Sequence, residues 1–292
     1  MQIRSIGSPL RRNFISIVRL VKPEDQIANL IAFGTGVIFA LSGPWLEIRL
    51  FAGVLTCISI LMATNALNQY AEVDLDRLNK PHRPLVSGAM TKNGALSIVI
   101  GLYILAVIAS LVVGGAFQYL ALASISLGIL YSAKPVILKK RFLLSNASIA
   151  IYYGALNFLL GWSIFQPLSF APWHIVIFLT LFDFFANISK DYGDMVGDGS
   201  NDIRTLPVVL GRATAIKFQF SGLFSMFLFI GMLGTISFYF PFILAPLGVG
   251  VSALSYRWIR RGNDSMGYGG MIMLYMAVRL SLVLSLVGFL GY

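Results

Sequence analysis

The chain has 292 residues, of which 57% are hydrophobic and only 12% charged, against about 25% charged in a soluble globular domain. That deficit, spread over long uncharged runs, excludes an ordinary soluble fold and points to a chain that crosses a membrane many times. The single cysteine, Cys57, lies in an apolar run and offers neither a disulfide framework nor a cysteine-based metal site, and the net charge of +10 raises nucleic acid as a partner only until its distribution is examined.

In chain order, the first 25 residues are basic and patchy, unlike a signal peptide with its separate apolar segment and small-residue cleavage site. Uncharged stretches follow at 26–46, 50–71, 93–133, 142–182 and 218–256. A helix needs about 20 apolar residues to cross the hydrocarbon core. The last three stretches are about twice that length, with breakers near their middles: Gly114-Gly115, Pro167 with Pro172, and Gly234 to Pro241. Each predicts a helical hairpin, and 269–292 predicts a final span. The expected architecture is an all-α membrane protein, nine transmembrane helices in one domain covering 1–292.

The basic residues predict its orientation. Arg4, Arg11, Arg12, Arg19 and Lys22 precede the first span; Arg77, Lys80, Arg83 and Lys92 separate the second and third; Lys134, Lys139, Lys140 and Arg141 separate the fourth and fifth. Lys190, Arg204, Arg212 and Lys217 surround the connection from sixth to seventh, and Arg257, Arg260 and Arg261 that from eighth to ninth. All fall on one side, leaving Arg49 and Arg279 as exceptions. The positive-inside rule then puts the N-terminus in the cytoplasm and the C-terminus outside. The positive charge belongs to a rim facing membrane lipid, in the cell (plasma) membrane, and not to a nucleic-acid interface.

Most of the acid lies on the same side. Of twelve carboxylates, Glu72, Asp74 and Asp76 follow the second span, and Asp191, Asp194, Asp198 and Asp202 follow the sixth. On a helix continuing the second span, Asn68, Glu72 and Asp76 share one face and Asp74 points away. On a continuation of the sixth, Asp191, Asp194 and Asp198 share a face, which Asn187 and the deeper Asp183 extend into the membrane. One such cluster is as readily a solvated charged loop. Two, each continuing a membrane helix on the same side, are costly near hydrocarbon, up to about 3 kcal/mol per charge, and a bound cation relieves that cost. Oxygen ligands without neighbouring His or Cys suit Mg²⁺, which binds through a few carboxylates and substrate phosphate oxygens. Basic groups beside the motifs can hold the outer oxygens of a diphosphate: Lys22, Lys80, Arg83, Lys139, Lys190 and Arg204. Pro81, Pro84 and Gly88 predict an ordered, turn-rich loop after the first motif.

These residues are similar to the motifs of the UbiA superfamily of intramembrane prenyltransferases, and the resemblance runs along nearly the whole chain. The family's NDxxDxxxD stands here as Asn68-Gln69-Tyr70-Ala71-Glu72-Val73-Asp74-Leu75-Asp76, and its KDxxDxxGD is intact from Lys190 to Asp198. "NKPHRPLVSG", "RTLPVVLG" and "YSAKPVILKKRFLLSN" are also family-like. The resemblance implies transfer of a polyprenyl group, geranylgeranyl above all, from its diphosphate to a lipophilic acceptor. Mg²⁺ would be held by Asn68, Glu72, Asp76, Asp191, Asp194 and Asp198, with Asp191 and Asp198 as the catalytic pair. Lys80, Arg83, Tyr131, Ser132, Lys139 and Lys190 would contact the diphosphate, and Tyr131, Tyr152 and Tyr153 could face the allylic cation. The motif phrasing favours geranylgeranylglyceryl phosphate as acceptor, with an aromatic quinone precursor such as 4-hydroxybenzoate or homogentisate as alternative. Two positions depart from the family: Gln69 and Glu72 stand where aspartates are usual, which opens the metal-ligand role of Glu72 to Asp74.

Of the other charged groups, Arg279 is an intramembrane base that must face the bundle or a partner, and Asp183 is the comparably deep acid that could pair with it. A transporter is the reading from another class. It calls for charge near the midplane and broken helices, whereas both motifs here gather at one face.

Overall fold

The computed structural model describes residues 9–41, 47–230 and 239–290, and every regular element among them is helical. Helix α1 (Pro9–Val21) ends at Lys22, which takes a left-handed φ of 49° and turns the chain into α2 (Gln26–Ala40). Helix α3 (Ile48–Ala71) meets α4 (Val73–Asn79) at Glu72. There φ opens to −105°, yet the i to i−4 bonding persists, with Glu72 N–H donating to the Asn68 carbonyl at 3.1 Å and Asp76 N–H to that of Glu72 at 2.8 Å. The expected continuation of the second span past its end is therefore present, with a bend.

Thr91 caps α5 (Lys92–Val113) by accepting from Gly94 N–H at 3.1 Å. Gly114 and Gly115, with φ of 73° and 54°, make the hairpin turn into α6 (Gly115–Ser132); left-handed φ is open to glycine at little steric cost. Helix α7 (Phe142–Ala150) passes through one π-helical stretch, Ile151–Leu156, into α8 (Asn157–Trp162). After the turn at Pro167 and Pro172 comes α9 (Trp173–Asn187), then a 3-10 turn, Ile188–Asp191. Short helices α10 (Met195–Ser200) and α11 (Leu206–Leu210) lead to α12 (Arg212–Ile230), α13 (Tyr239–Arg260) and α14 (Asp264–Leu290).

Six helical stretches among the described residues are long and apolar enough to cross a membrane: Ile48–Ala71, Lys92–Val113, Gly115–Ser132, Phe142–Trp162, Trp173–Asp191 and Asp264–Leu284. The segments expected as spans one, seven and eight carry α2, only 15 residues long, and α12 and α13. The break expected between Gly234 and Pro241 falls largely outside the described residues. On α5, Ile100, Ile104, Ile108 and Leu111 are exposed at helical spacing, an apolar stripe suited to lipid.

The bundle packs through small residues. A Cβ on Gly36 of α2 would lie 1.9 Å from the Phe158 carbonyl oxygen of α8, and one on Gly161 of α8 would lie 2.1 Å from that of Phe33 on α2. Paired glycines let the two backbones touch, as small residues do between membrane helices. The core beside this contact includes Phe158, Phe182, Leu223 and Leu274 on one side, and Phe33, Ile60, Phe117 and Leu160 on the other.

Candidate active site

The first acidic motif is held by cations. Lys139 pairs with Glu72 Oε1, and Arg83 with Asp76 Oδ2, both in close contact; Arg83 Nη1 also stands 3.7 Å from Glu72 Oε2. Asn68 Nδ2 donates to Glu72 Oε2 at 3.1 Å, and Ser132 Oγ donates to Asn68 Oδ1 at 3.4 Å. The loop after the motif thus folds Arg83 back onto it, while Lys139 arrives from the segment after α6. Burial pushes the Asp76 carboxyl above its ordinary range against the pull of Arg83. Burial works against the Lys139 ammonium, but Glu72 and Tyr131 outweigh it and its pKa is raised. Asp74 is 88% exposed and pairs with Arg77 at 3.9 Å, and it does not line the cavity described below.

The second motif departs from the expected unbroken continuation of the sixth span. The chain passes from α9 through the 3-10 turn and a further turn at Tyr192–Asp194 before α10 begins, so the helix expected to carry the three aspartates is interrupted, although all three border one cavity. Asp191 and Asp198 are buried and Asp194 is exposed. Lys190 Nζ lies 3.9 Å from Asp191 Oδ1 and donates to the Tyr131 hydroxyl at 3.5 Å. Burial, and then the charge of Asp194, push the Asp198 carboxyl up to about 6.

Both motifs border a cavity of about 430 Å³. Asn68, Lys80 and Arg83 line it from the first motif and its loop, Tyr131 and Lys139 from the end of α6 and beyond, and Lys190, Asp191, Asp194 and Asp198 from the second motif. Tyr152 and Tyr153, on the π-helical stretch, form its inner wall with Leu61, Leu127 and Ile149. Glu72, Asp76 and Ser132 do not reach this wall; Lys139 and Arg83 stand between the two carboxylates and the space. One end of the cavity is therefore cationic and acidic, the other aromatic and aliphatic.

The donor chemistry fits a hard divalent cation at the second motif. Its ligands are carboxylate oxygens only, and Asp191 Oδ2 is buried with no hydrogen-bond partner among the described residues. Among those residues no three His, Cys, Asp or Glu side chains already stand close enough together to enclose an ion. Mg²⁺ needs fewer, since it binds through one or two carboxylates with water and phosphate oxygens completing the shell. Glu72 and Asp76 would have to exchange Lys139 and Arg83 for a metal.

Other residues on the cavity wall carry little signal in the sequence. Asp25, Asn65, Ser145, Ser148, Thr205 and Tyr268 line it, but an isolated polar residue at a span end reads as ordinary capping or packing. Gln69, the other departure from the family motif, is buried and away from the cavity. Its Nε2 donates to the carbonyls of Leu20 at 2.7 Å and Arg19 at 3.0 Å, tying the end of α1 to α3. The pairing raised for Arg279 is present: Nη2 donates to Asp183 Oδ2 at 2.9 Å and to the Tyr153 carbonyl at 2.9 Å, and the guanidinium lies over the Tyr275 ring.

Fold and site together define, among the described residues, an all-helical chain with helices of membrane-spanning length and a cavity that joins a charged end to an apolar one. Residues 29–277 match the model of the UbiA prenyltransferase family, and the chain belongs to that family. It is 30% identical over 193 residues to a digeranylgeranylglyceryl phosphate synthase of Methanococcoides burtonii, covering 65% of this chain and 66% of the relative. It is 26% identical over 203 residues to the bacteriochlorophyll synthase 34 kDa chain of Chloroflexus aurantiacus, covering 68% and 66%. The chain thus spans about two thirds of the length of these relatives. A UbiA homolog from Archaeoglobus fulgidus, solved bound to GPP and Mg²⁺, superposes with a TM-score of 0.74 at 18% identity over 92% of this chain and 99% of that one. The chain is a prenyltransferase by family, which sets the transporter reading aside.

Proposed function

We propose that this protein transfers a geranylgeranyl group from its diphosphate to the free hydroxyl of geranylgeranylglyceryl phosphate, forming a second ether and releasing diphosphate. The observation that carries the reading is the cavity on which Asp191, Asp194 and Asp198 face Lys80, Arg83, Lys139 and Lys190, continuous with a wall of tyrosine and aliphatic side chains. An amphiphile with a highly charged head and a long apolar tail fits that division. The acceptor follows from relatives named digeranylgeranylglyceryl phosphate synthase, which include one from Methanothrix thermoacetophila that is 28% identical over 82% of this chain. The bacteriochlorophyll synthase relative favours a second reading, transfer to an aromatic-derived acceptor.

In this reading Asn68, Asp191, Asp194 and Asp198 would hold Mg²⁺, with Glu72 and Asp76 available to join them if Lys139 and Arg83 turned to the substrate. A cation held there would supply Lewis-acid neutralisation of the leaving diphosphate. Lys80, Arg83, Lys139, Lys190 and Tyr131 orient the diphosphate oxygens and offset their charge as the allylic C–O bond breaks, while Ser132, set behind the wall, orients Asn68. The faces of Tyr131, Tyr152 and Tyr153 stabilise the allylic cation, and the apolar wall keeps water from it. The chain lies in the plasma membrane with nine spans, its N-terminus and both acidic motifs cytoplasmic, as the distribution of basic residues argues.

The test is an assay of purified protein with geranylgeranyl diphosphate and Mg²⁺, offering geranylgeranylglyceryl phosphate, 4-hydroxybenzoate and homogentisate separately. The expected result is an ether product from the glycerol lipid alone, lost with EDTA and in Asp198→Ala. Product from an aromatic acceptor instead would overturn the acceptor assignment.

A further inference from the structure

A second cavity, of about 190 Å³, adjoins the first at the start of α2. Ile27 and Ala28 of α2 and Met271, Ile272 and Met276 of α14 supply its apolar lining, and Ile27 and Ile272 are exposed where it reaches the surface between these helices. Four residues line both cavities: Asp25, Tyr153, Asn187 and Tyr268. Asp25 is the carboxylate among them. It stands at the N-cap of α2, where an aspartate ordinarily accepts from the N–H groups of the first turn. Here it makes no such bond, and Oδ2 instead accepts from Asn65 Nδ2 on α3 at 3.1 Å. The carboxylate is turned off its own helix end towards α3, one turn before Asn68.

We propose that Asp25 is the general base of the transfer, taking the hydroxyl proton of a lipid alcohol that enters through the cleft between α2 and α14. The proposal rests on the prenyltransferase reading above and supplies its acceptor side. In the step, the bond from prenyl C1 to the diphosphate oxygen breaks and its electron pair leaves with the diphosphate. The acceptor oxygen forms the new C–O bond, and its proton passes to an Asp25 carboxylate oxygen and from there to solvent. The groups facing Asp25 are Lys22 and Glu24 on its own segment, Asn65 on α3, Tyr153 on the π-helical stretch and Tyr268 on α14. Burial raises the Asp25 carboxyl and Lys22 opposes it, the balance lying above the ordinary aspartate range. That strengthens a carboxylate as a base near neutral pH.

The test uses the full chain in proteoliposomes with Mg²⁺, geranylgeranyl diphosphate and geranylgeranylglyceryl phosphate, comparing wild type, Asp25→Asn and Asp25→Glu. A positioned general base contributes about 10²–10⁴-fold. The expected result is that Asp25→Asn lowers kcat for ether formation by about 100-fold or more, with the Kd for geranylgeranyl diphosphate and Mg²⁺ and the acceptor KM unchanged. Asp25→Glu should recover part of the rate. In wild type, kcat at saturating donor and Mg²⁺ should fall on acidification through a single ionisation that Asp25→Glu keeps and Asp25→Asn lacks. Asp25→Asn retaining the wild-type kcat, or losing donor affinity in step with kcat, would overturn the assignment and leave the transferase reading intact. Wild type making no ether from any alcohol acceptor would overturn both, and is recognised because it appears without mutation.

Discussion

Arg279 on α14 donates to Asp183 on α9 at 2.9 Å, with side chains 1% and 0% exposed, inside two helices that span the membrane by length and composition. The same guanidinium holds the Tyr153 carbonyl in the π-helical stretch, so the pair fixes the wall from which Tyr152 and Tyr153 face the cavity. Removing one partner strands the other charge, which costs about 3–5 kcal/mol in a buried pair. Arg279→Met is therefore expected to lower the thermal unfolding midpoint in detergent sharply, and Asp183→Leu in the same background to recover part of the loss. A double variant no more stable than the single ones would show that the pair is not the coupling unit.

Lys139 and Arg83 each face two roles, pairing the first motif in the structure described here and holding diphosphate in the proposed complex. Lys139→Met is expected to raise the donor KM by about 10-fold or more, the loss of one charge-assisted contact. Glu72→Gln should weaken Mg²⁺ dependence, whereas Asp74→Asn should leave turnover unchanged, because Asp74 is exposed and paired with Arg77 at the surface. Steady-state titrations of donor and Mg²⁺ with the three variants check this.

Asp198 gives a pH dependence of stability. Its folded-state pKa of about 6 lies above the value of 3.8 for an unperturbed aspartate. The folded state therefore keeps a proton that the unfolded chain releases, and stability without metal is expected to rise as pH falls through 6, the gain being complete below the unfolded value. Unfolding midpoints of EDTA-treated protein between pH 7 and pH 5 should show this rise, and Asp198→Asn should reduce it. Mg²⁺ at pH 7 should supply the stabilisation that the proton supplies at lower pH.

Gly161→Ala is expected to abolish folded protein. Its Cβ would meet the Phe33 carbonyl oxygen at 2.1 Å and the Val37 nitrogen at 2.8 Å, both backbone atoms that cannot turn aside. Overpacking ordinarily costs about 1–3 kcal/mol where side chains can yield, and here the two helices must separate. Gly101→Ala, with nothing within 4 Å of the added methyl, is the matched control, and yield in detergent compares the two.

Much of the site was legible because its chemistry needs clustered charge. Carboxylates and cations gathered beside apolar runs stand out against their neighbours, and ten of the residues singled out for metal or diphosphate do border one cavity: Lys22, Asn68, Lys80, Arg83, Tyr131, Lys139, Lys190, Asp191, Asp194 and Asp198. Asp25 and Asn65 were not legible. Neither belongs to a spaced motif, and each acquires meaning only from the other, 40 positions away. The second motif was misread only in its backbone. The expectation took α9 to continue unbroken, whereas a 3-10 turn from Ile188 and a turn at 192–194 interrupt the helix while all three aspartates still border the cavity.

The sequence by itself determined the helical membrane character, the hairpin at Gly114-Gly115, and the two acidic segments with their basic neighbours. Each of these depends on composition or on residues adjacent along the chain. Only the tertiary structure decided that Lys139 and Arg83 occupy Glu72 and Asp76, that Gln69 ties down α1, that Arg279 finds Asp183, and that two cavities meet at Asp25. Those outcomes depend on which helices pack together and at what depth. Packing of that kind is set by contacts such as Gly36 and Gly161 against opposing backbone, between residues more than a hundred positions apart, where no local pattern of charge or hydrophobicity records the partner.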